Sequence, residues 1–287
     1  GYTELKPLIT IEGKPAIAHV LDMFPGEDAP LFICAEDALQ NTPLRSVLME
    51  LRPQAKTISI PPHNEGPVYA IKQAYDHIPD AENVMISYCD FTGNWDYVQF
   101  KKDVKALNVD GAVPSYRGFH PHLLGPDFYG HIRWRTEGEH HFMLEIQEKR
   151  AFTDNKMNEF GAIGSYWFKS GALMKKYFDE ALENNQRPGA EFFCSMPYNY
   201  MVRDGLKVLV PEMTHFCQWG TPQDLEEYEA WSRAFAVLSG KLHEKGLTNI
   251  PQERPVKVRA VSLDNLCKTA AYWAAFFAQV PWHPYGK

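Results

Sequence analysis

Asn83-Val84-Met85-Ile86-Ser87-Tyr88-Cys89-Asp90 is the stretch that decides the fold. Its run NVMISY is almost continuously apolar, the pattern of a strand buried on both faces of a parallel sheet. Upstream, Leu31–Cys34 and Thr57–Ile60 read as further short strands. Helical patterns separate them, at Pro15–Met23, around Leu44–Leu51, and from Gly66-Pro67 with Val68, Ile71, Tyr75 and Ile78 on one face. Leu8–Ile11 reads as an extended opening segment. Downstream come a helix at Tyr97–Leu107 and a strand at Gly111–Ser115. Strands alternating with helices of this length mean βαβ units in a doubly wound α/β fold.

The pattern changes after Ser115. Residues 116–150 carry aromatics, glycines and histidines, with antiparallel strands expected at Gly130–Arg135 and His141–Ile146. Another strand follows at Gly164–Phe168 and a helix at Ser170–Glu183. A strand pair, Lys207–Val210 and Thr214–Trp219, leads into a helix from Pro222 to Leu238. Residues 246–262 read as a linker with a short strand, VKVRAV, before a last helix at Leu263–Gln279. That helix carries Trp273, Phe276 and Phe277, more aromatic surface than a lone terminal helix leaves in water. It is expected to pack on the domain or on a second subunit, as in a homodimer.

The chain has 287 residues, 45% hydrophobic and 13% aromatic, which supplies ample core and excludes disorder for most of its length. Its densest apolar run, Ala270–Ala278, is too short to cross a bilayer. A net charge of −7 excludes a nucleic-acid binder that works through a general basic surface. Five scattered cysteines without CxxC spacing read as reduced core thiols, and no secretory signal is evident, so a cytoplasmic location is expected.

Asp90 follows the apolar run, and in an open α/β sheet ligands bind outside the carboxyl ends of the strands. A carboxylate there can hold a Mg²⁺ that bridges nucleotide phosphates, or it can cap a helix, a role that suits Asp96 better. Lys6, fixed by Pro7, offers a point charge for a phosphate. His63-Asn64-Glu65-Gly66-Pro67 opens a helix whose first amides could receive an anionic or carbonyl group; a structural cap explains it equally well. Glu148 and Lys149 close a strand and provide an acceptor and a cation, for a ligand or for a surface ion pair. Thr221-Pro222-Gln223-Asp224 has the form of a capping box. The two histidines of Gly118-Phe119-His120-Pro121-His122 lack a fixed third ligand and read as a loop contact.

Taken in order, these segments resemble the sugar nucleotidyltransferase (nucleoside-diphosphate-sugar pyrophosphorylase) family. KPLITIEGKPAIAHVLDMF is similar to its PKPL…GKP segment, and GPVYAIKQAYDHIPDAENVMISYCDF to its base-binding helix, strand and metal aspartate. IQEKRAF resembles its EKP sugar-phosphate segment, FGAIGSYWFKSGAL its NAGIYLF strand, and WGTPQDLEEYEAW its closing GTPEDL helix. The similarity runs from Gly1 to Trp231 and looks nearest to bacterial members of capsule and surface-polysaccharide synthesis.

The resemblance implies a GT-A-like Rossmann fold over residues 1–240: a mostly parallel mixed sheet flanked by helices, with a small antiparallel insertion. Residues 241–287 would be a C-terminal helical extension. It implies the reaction of an NTP with a sugar phosphate or similar phosphorylated acceptor to give an NDP-sugar and pyrophosphate. Lys6 would contact phosphate and Asp90 would hold Mg²⁺. Glu65, Gly66 and Pro67 would face the base, Glu148 and Lys149 the sugar phosphate, and Gly164 the sugar. Three departures stand out. The family's glycine-rich triphosphate loop and its arginine belong ahead of Lys6, so a longer protein, or a chain that cannot catalyse as it stands, is expected. Its later metal aspartate falls at Gln218, and Arg150 replaces the proline of EKP. A GT-A glycosyltransferase and a non-catalytic nucleotide-binding protein stay open as alternatives, although Asp90 and Asp96 are too far apart for a DxD motif.

Overall fold

A computed structural model describes residues 4–238 and 262–279. Lys6–Leu8 form a single 3₁₀ turn, with Pro7 near its start. The opening extended segment is therefore shorter than its sequence suggests: only β1 (Thr10–Ile11) is a strand, paired antiparallel with β2 (Lys14–Pro15). Then follow α1 (Ala16–Asp22), β3 (Leu31–Ala35), α2 (Glu36–Asn41), α3 (Leu44–Leu51), β4 (Lys56–Ile60) and α4 (Pro67–Lys72). Next come β5 (Val84–Ser87), β6 (Phe91–Asn94), α5 (Tyr97–Ala106), β7 (Gly111–Ala112) and β8 (Ser115–Tyr116). A long hairpin, β9 (Gly130–Glu137) and β10 (His140–Glu148), leads to β11 (Phe160–Ala162) and β12 (Ser165–Phe168). The described chain closes with α6 (Gly171–Glu183), α7 (Pro197–Arg203), β13 (Val208–Leu209), β14 (His215–Gln218), α8 (Pro222–Leu238) and α9 (Leu263–Gln279).

The fold is α/β, with a mixed eight-stranded sheet in the order β5-β12-β7-β13-β10-β9-β11-β8. The sheet is not the mostly parallel one expected: apart from β7–β13 its described strand pairings are antiparallel, and β3–β4 form a separate parallel pair. The decisive apolar run is packed on both faces, as its composition requires. Val84 and Ile86 lie against one core and Met85 against the other. Its hydrogen-bonded neighbour, however, is β12, and the pairing is antiparallel. An apolar run reports helices on both faces of a sheet and is blind to strand direction.

One core gathers Val20, Leu48, Phe100 and Val104 from α1, α3 and α5; the other gathers Ile71, Phe178 and Met201 from α4, α6 and α7. A third joins Ile9, Ile11, Cys217, Trp219, Leu225 and Tyr228 to one face of α9, where Tyr272, Trp273, Phe276 and Phe277 are all buried. The terminal aromatic helix thus packs on its own domain. Two capping expectations are met. Asp96 accepts from the Gln99 amide at 2.8 Å ahead of α5. Asp224 accepts from the Thr221 amide (3.1 Å) and hydroxyl (2.7 Å), and its own amide donates to that hydroxyl oxygen. None of the five cysteines forms a disulfide, and Cys267 is exposed on α9, so it is no core thiol. The VKVRAV strand and the division at 240/241 lie outside the described residues.

Candidate active site

Asp90 is held from two sides. On one, the Tyr88 amide donates to Gly164 O at 2.9 Å; on the other, the Trp219 amide donates to Asp90 O at 2.7 Å. Its carboxylate therefore stands where β5 ends and β6 and β14 begin to pair. Lys6 Nζ lies 2.9 Å from Asp90 Oδ2, with the lysine side chain 55% exposed and the aspartate 25%. Burial alone would lower the pKa of Lys6, but the Asp90 charge and hydrogen bond outweigh it and raise the value. Gly220 leaves backbone bare beside this pair: a Cβ there would be 3.5 Å from Asp90 Oδ2 and 3.8 Å from the Tyr129 hydroxyl.

Tyr129, which the sequence did not single out, links this corner to the second group of candidates. Its carbonyl accepts from the Lys149 amide at 2.9 Å. The next residue, Gly130, pairs with Glu148 in the β9–β10 ladder, and a Cβ on it would lie 3.0 Å from Glu148 Oε1. Glu148 does not form the surface ion pair its neighbour offers. Oε1 accepts a hydrogen bond from the buried Ser195 hydroxyl, while Lys149 Nζ sits 4.7 Å from the Phe193 ring centroid. Burial raises the pKa of Glu148; the Ser195 hydrogen bond and the Lys149 charge oppose the rise without cancelling it. Gly164, at φ +97, has Tyr88 and Phe91 side chains 3.1 and 3.3 Å from where its Cβ would be.

Glu65, Gly66 and Pro67 open α4 as expected, and much of their geometry is structural. Gly66 sits at φ +92, and a Cβ would lie 2.8 Å from Phe192 N. The Phe192 amide donates to Glu65 O at 2.8 Å, Val68 N donates to Phe192 O at 3.1 Å, and Glu65 pairs with Arg187 at 2.7 Å. The stretch from Arg187 to Ser195 therefore touches both Glu65-Gly66 and Glu148-Lys149. Sequence reading passed over it because it forms no periodic element; the aromatic run at Phe192-Phe193 just ahead of Pro197 is the signal that was there to use.

The Mg²⁺ implied by the family resemblance can be tested against these donors. Asp90 supplies a hard carboxylate. Gln218 pairs across the ladder with Phe91, beside Asp90, and is 3% exposed. Both of its amide atoms are buried without a hydrogen-bond partner among the described residues. Mg²⁺ is commonly held by one or two carboxylates together with water and substrate phosphates, so the single Asp90 carboxylate fits an ion held largely by its substrate, while Gln218 shares the face of its ladder partner, the buried Phe91. Among the described residues no cluster of three or more His, Cys, Asp or Glu forms a protein-only metal cage. His120 and His122 are buried and hydrogen-bond each other in a loop contact. A groove of about 610 Å³ lined by Trp95, Tyr97, Asp103 and Glu212 lies by Asn94 and Thr214, away from the Asp90 end of β6–β14.

The same fold occurs in solved structures. The nucleoside-diphosphate-sugar pyrophosphorylase of Vibrio cholerae RC9 aligns at a TM-score of 0.58 and 17% identity, over 78% of this chain and 91% of that one. A UDP-glucose pyrophosphorylase complexed with UDP-glucose aligns at 0.60 and 13%, over 81% and 90%. HddC of Yersinia pseudotuberculosis, complexed with GMP-PN, aligns at 0.51 and 17%, over 82% and 94%. A sequence search of curated proteins gives no match. The described residues contain no helix long and apolar enough to cross a membrane. Residues 2–153, just over half of the sequence, match the model of the MobA-like NTP transferase domain, and the chain belongs to that family of nucleotidyltransferases.

Proposed function

We propose that this protein transfers a nucleotidyl group from an NTP to a sugar phosphate, or a similar phosphorylated small molecule, with release of pyrophosphate. Cytoplasmic synthesis of surface-polysaccharide precursors is the setting we assign to it. The observation that carries the reading is the Lys6–Asp90 pair at 2.9 Å, beside the bare backbone of Gly220. A cation and a carboxylate at the carboxyl ends of buried strands suit a polyphosphate with its counter-ion. The fold shared with nucleotide-sugar pyrophosphorylases supports the same class.

The acceptor phosphate is already an anion, so its attack on the α-phosphorus needs no strong base. Positioning and charge neutralisation do the work. In this reading Lys6 draws a phosphate oxygen, and Asp90 would hold Mg²⁺. When bound, that ion neutralises charge on the phosphates. Glu65, Gly66 and Pro67 form the wall facing the base. Lys149 attracts the acceptor phosphate, Glu148 accepts from its hydroxyl groups, and Gly164 keeps the floor of that pocket open. The test is an array of NTPs against candidate phosphates, with Mg²⁺ and the full natural chain, scoring pyrophosphate. One productive pair supports the reading. Transfer from a ready-made NDP-sugar without pyrophosphate, or nucleotide binding without turnover, overturns it.

A further inference from the structure

Glu148 is the acceptor-side carboxylate of the reading above, and its surroundings are built to hold it. Ser195 is fully buried, and its hydroxyl donates to Glu148 Oε1. Behind Ser195 stand the buried Tyr166 and the half-buried Tyr88: the hydroxyl of Tyr166 is in hydrogen-bonding reach of those of Ser195 and Tyr88, and the two tyrosine rings lie 5.6 Å apart. The Cys194 amide donates to the Tyr88 hydroxyl at 3.4 Å. Asn199 of α7 donates to Ile146 O and accepts from Ile146 N, both at 2.9 Å, which clamps the segment carrying Ser195 to the strand carrying Glu148. From the other side, Gly130 gives the carboxyl room that any other residue would fill.

We propose that Ser195 is a positioning residue: by donating to one oxygen of Glu148 it fixes the carboxyl over Gly130 and leaves the other oxygen for the hydroxyl groups of the phosphorylated acceptor. This deepens, and rests on, the nucleotidyl-transfer reading. A carboxylate free to rotate loses part of its binding energy to ordering, whereas one already hydrogen-bonded on one oxygen does not. Among the described residues, Lys149, next along the chain, carries the charge that lowers the pKa of Glu148. Cys194, its thiol pushed up to about 12 by burial, and Tyr88 and Tyr166, raised further by burial, stay neutral. Ser195 is therefore the neutral group that most directly favours the ionised form of Glu148.

The decisive measurement is the titration of the Glu148 carboxyl carbon by ¹³C NMR in glutamate-labelled protein, assigned by its loss in Glu148→Gln. Ser195→Ala should move the midpoint upward by about one pH unit, the size of one lost hydrogen bond. In steady state the same variant should raise KM for the phosphorylated acceptor roughly five- to tenfold, with KM for the NTP unchanged and kcat within about twofold. Tyr166→Phe, which keeps the Ser195 hydroxyl but removes its backing, should shift the midpoint the same way by less; it also serves if Ser195→Ala does not fold. An unmoved midpoint in both variants overturns the proposal, as does an equal rise in both KM values. If no NTP and phosphate pair turns over at all, the nucleotidyl-transfer reading fails, and the NMR midpoint still decides whether Ser195 controls Glu148.

Discussion

Lys6 and Asp90, 84 residues apart in sequence, meet at 2.9 Å through Nζ and Oδ2. The pair is partly open to solvent, so its contribution to stability is about 0–1 kcal/mol at most. Asp90→Asn should therefore leave the thermal melt nearly unchanged while abolishing Mg²⁺-dependent pyrophosphate release. Unaltered turnover in that variant would remove Asp90 from the site.

Two glycines separate fold from function. Gly66→Ala places a Cβ within 2.9 Å of Phe192 backbone in a left-handed conformation, and should cost on the order of 1–3 kcal/mol in urea unfolding. Gly220→Ala meets Asp90 Oδ2 at an ordinary 3.5 Å. It should change stability by about 0.5 kcal/mol or less yet raise KM for the NTP several-fold. A stable Gly66→Ala protein would contradict the strain argument; an unchanged KM in Gly220→Ala would contradict the placement of the nucleotide.

The terminal helix is part of the core. Phe276, 1% exposed, packs with Tyr228, Trp273 and Phe277. Phe276→Ala should destabilise the protein by about 3–5 kcal/mol and open α9 to limited proteolysis. Protection equal to that of the unsubstituted protein would show that α9 is held by other contacts.

His131 makes stability depend on pH. It is 1% exposed, with Glu159 Oε2 at 3.1 Å and Asp127 Oδ1 at 3.7 Å. Burial lowers its pKa below 6.5, and the two carboxylates offset this only in part. A depressed histidine stabilises the fold above its unfolded pKa and loses that contribution as pH falls through the folded value. Unfolding free energy should therefore drop between about pH 7 and pH 5, and the drop should be smaller in His131→Gln. Equal slopes for the two proteins would show that His131 titrates as it does in the unfolded chain.

Much of this was legible in the linear order of residues. The apolar run ending before Asp90, the capping chemistry of Asp96 and Thr221–Asp224, and the amphipathic face of α9 are local signals, fixed by periodicity and by hydrogen bonds that close within a turn. Ser195 and Tyr129 escaped notice because each acts through a partner distant in sequence, and the Arg187–Ser195 stretch because its one local mark, the Phe192-Phe193 pair, carries no periodicity. The direction of β5 escaped for a related reason, since burial on both faces gives the same composition in parallel and antiparallel pairings.

The sequence by itself determined the α/β alternation, the helix starts set by Pro, Gly and capping acids, and the residue types able to handle phosphate; it did not determine where every helix ends, since α4 stops at Lys72 and Tyr75–His77 form a separate 3₁₀ turn. Tertiary structure alone decided that Lys6 meets Asp90, that Tyr129 and Gly130 join the Asp90 corner to Glu148, and that α9 closes over its own domain. The first set depends on interactions between residues a few positions apart, whose geometry the backbone fixes. The second depends on which strand ends and loops the packed core brings together, a relation that exists only once the apolar faces are buried.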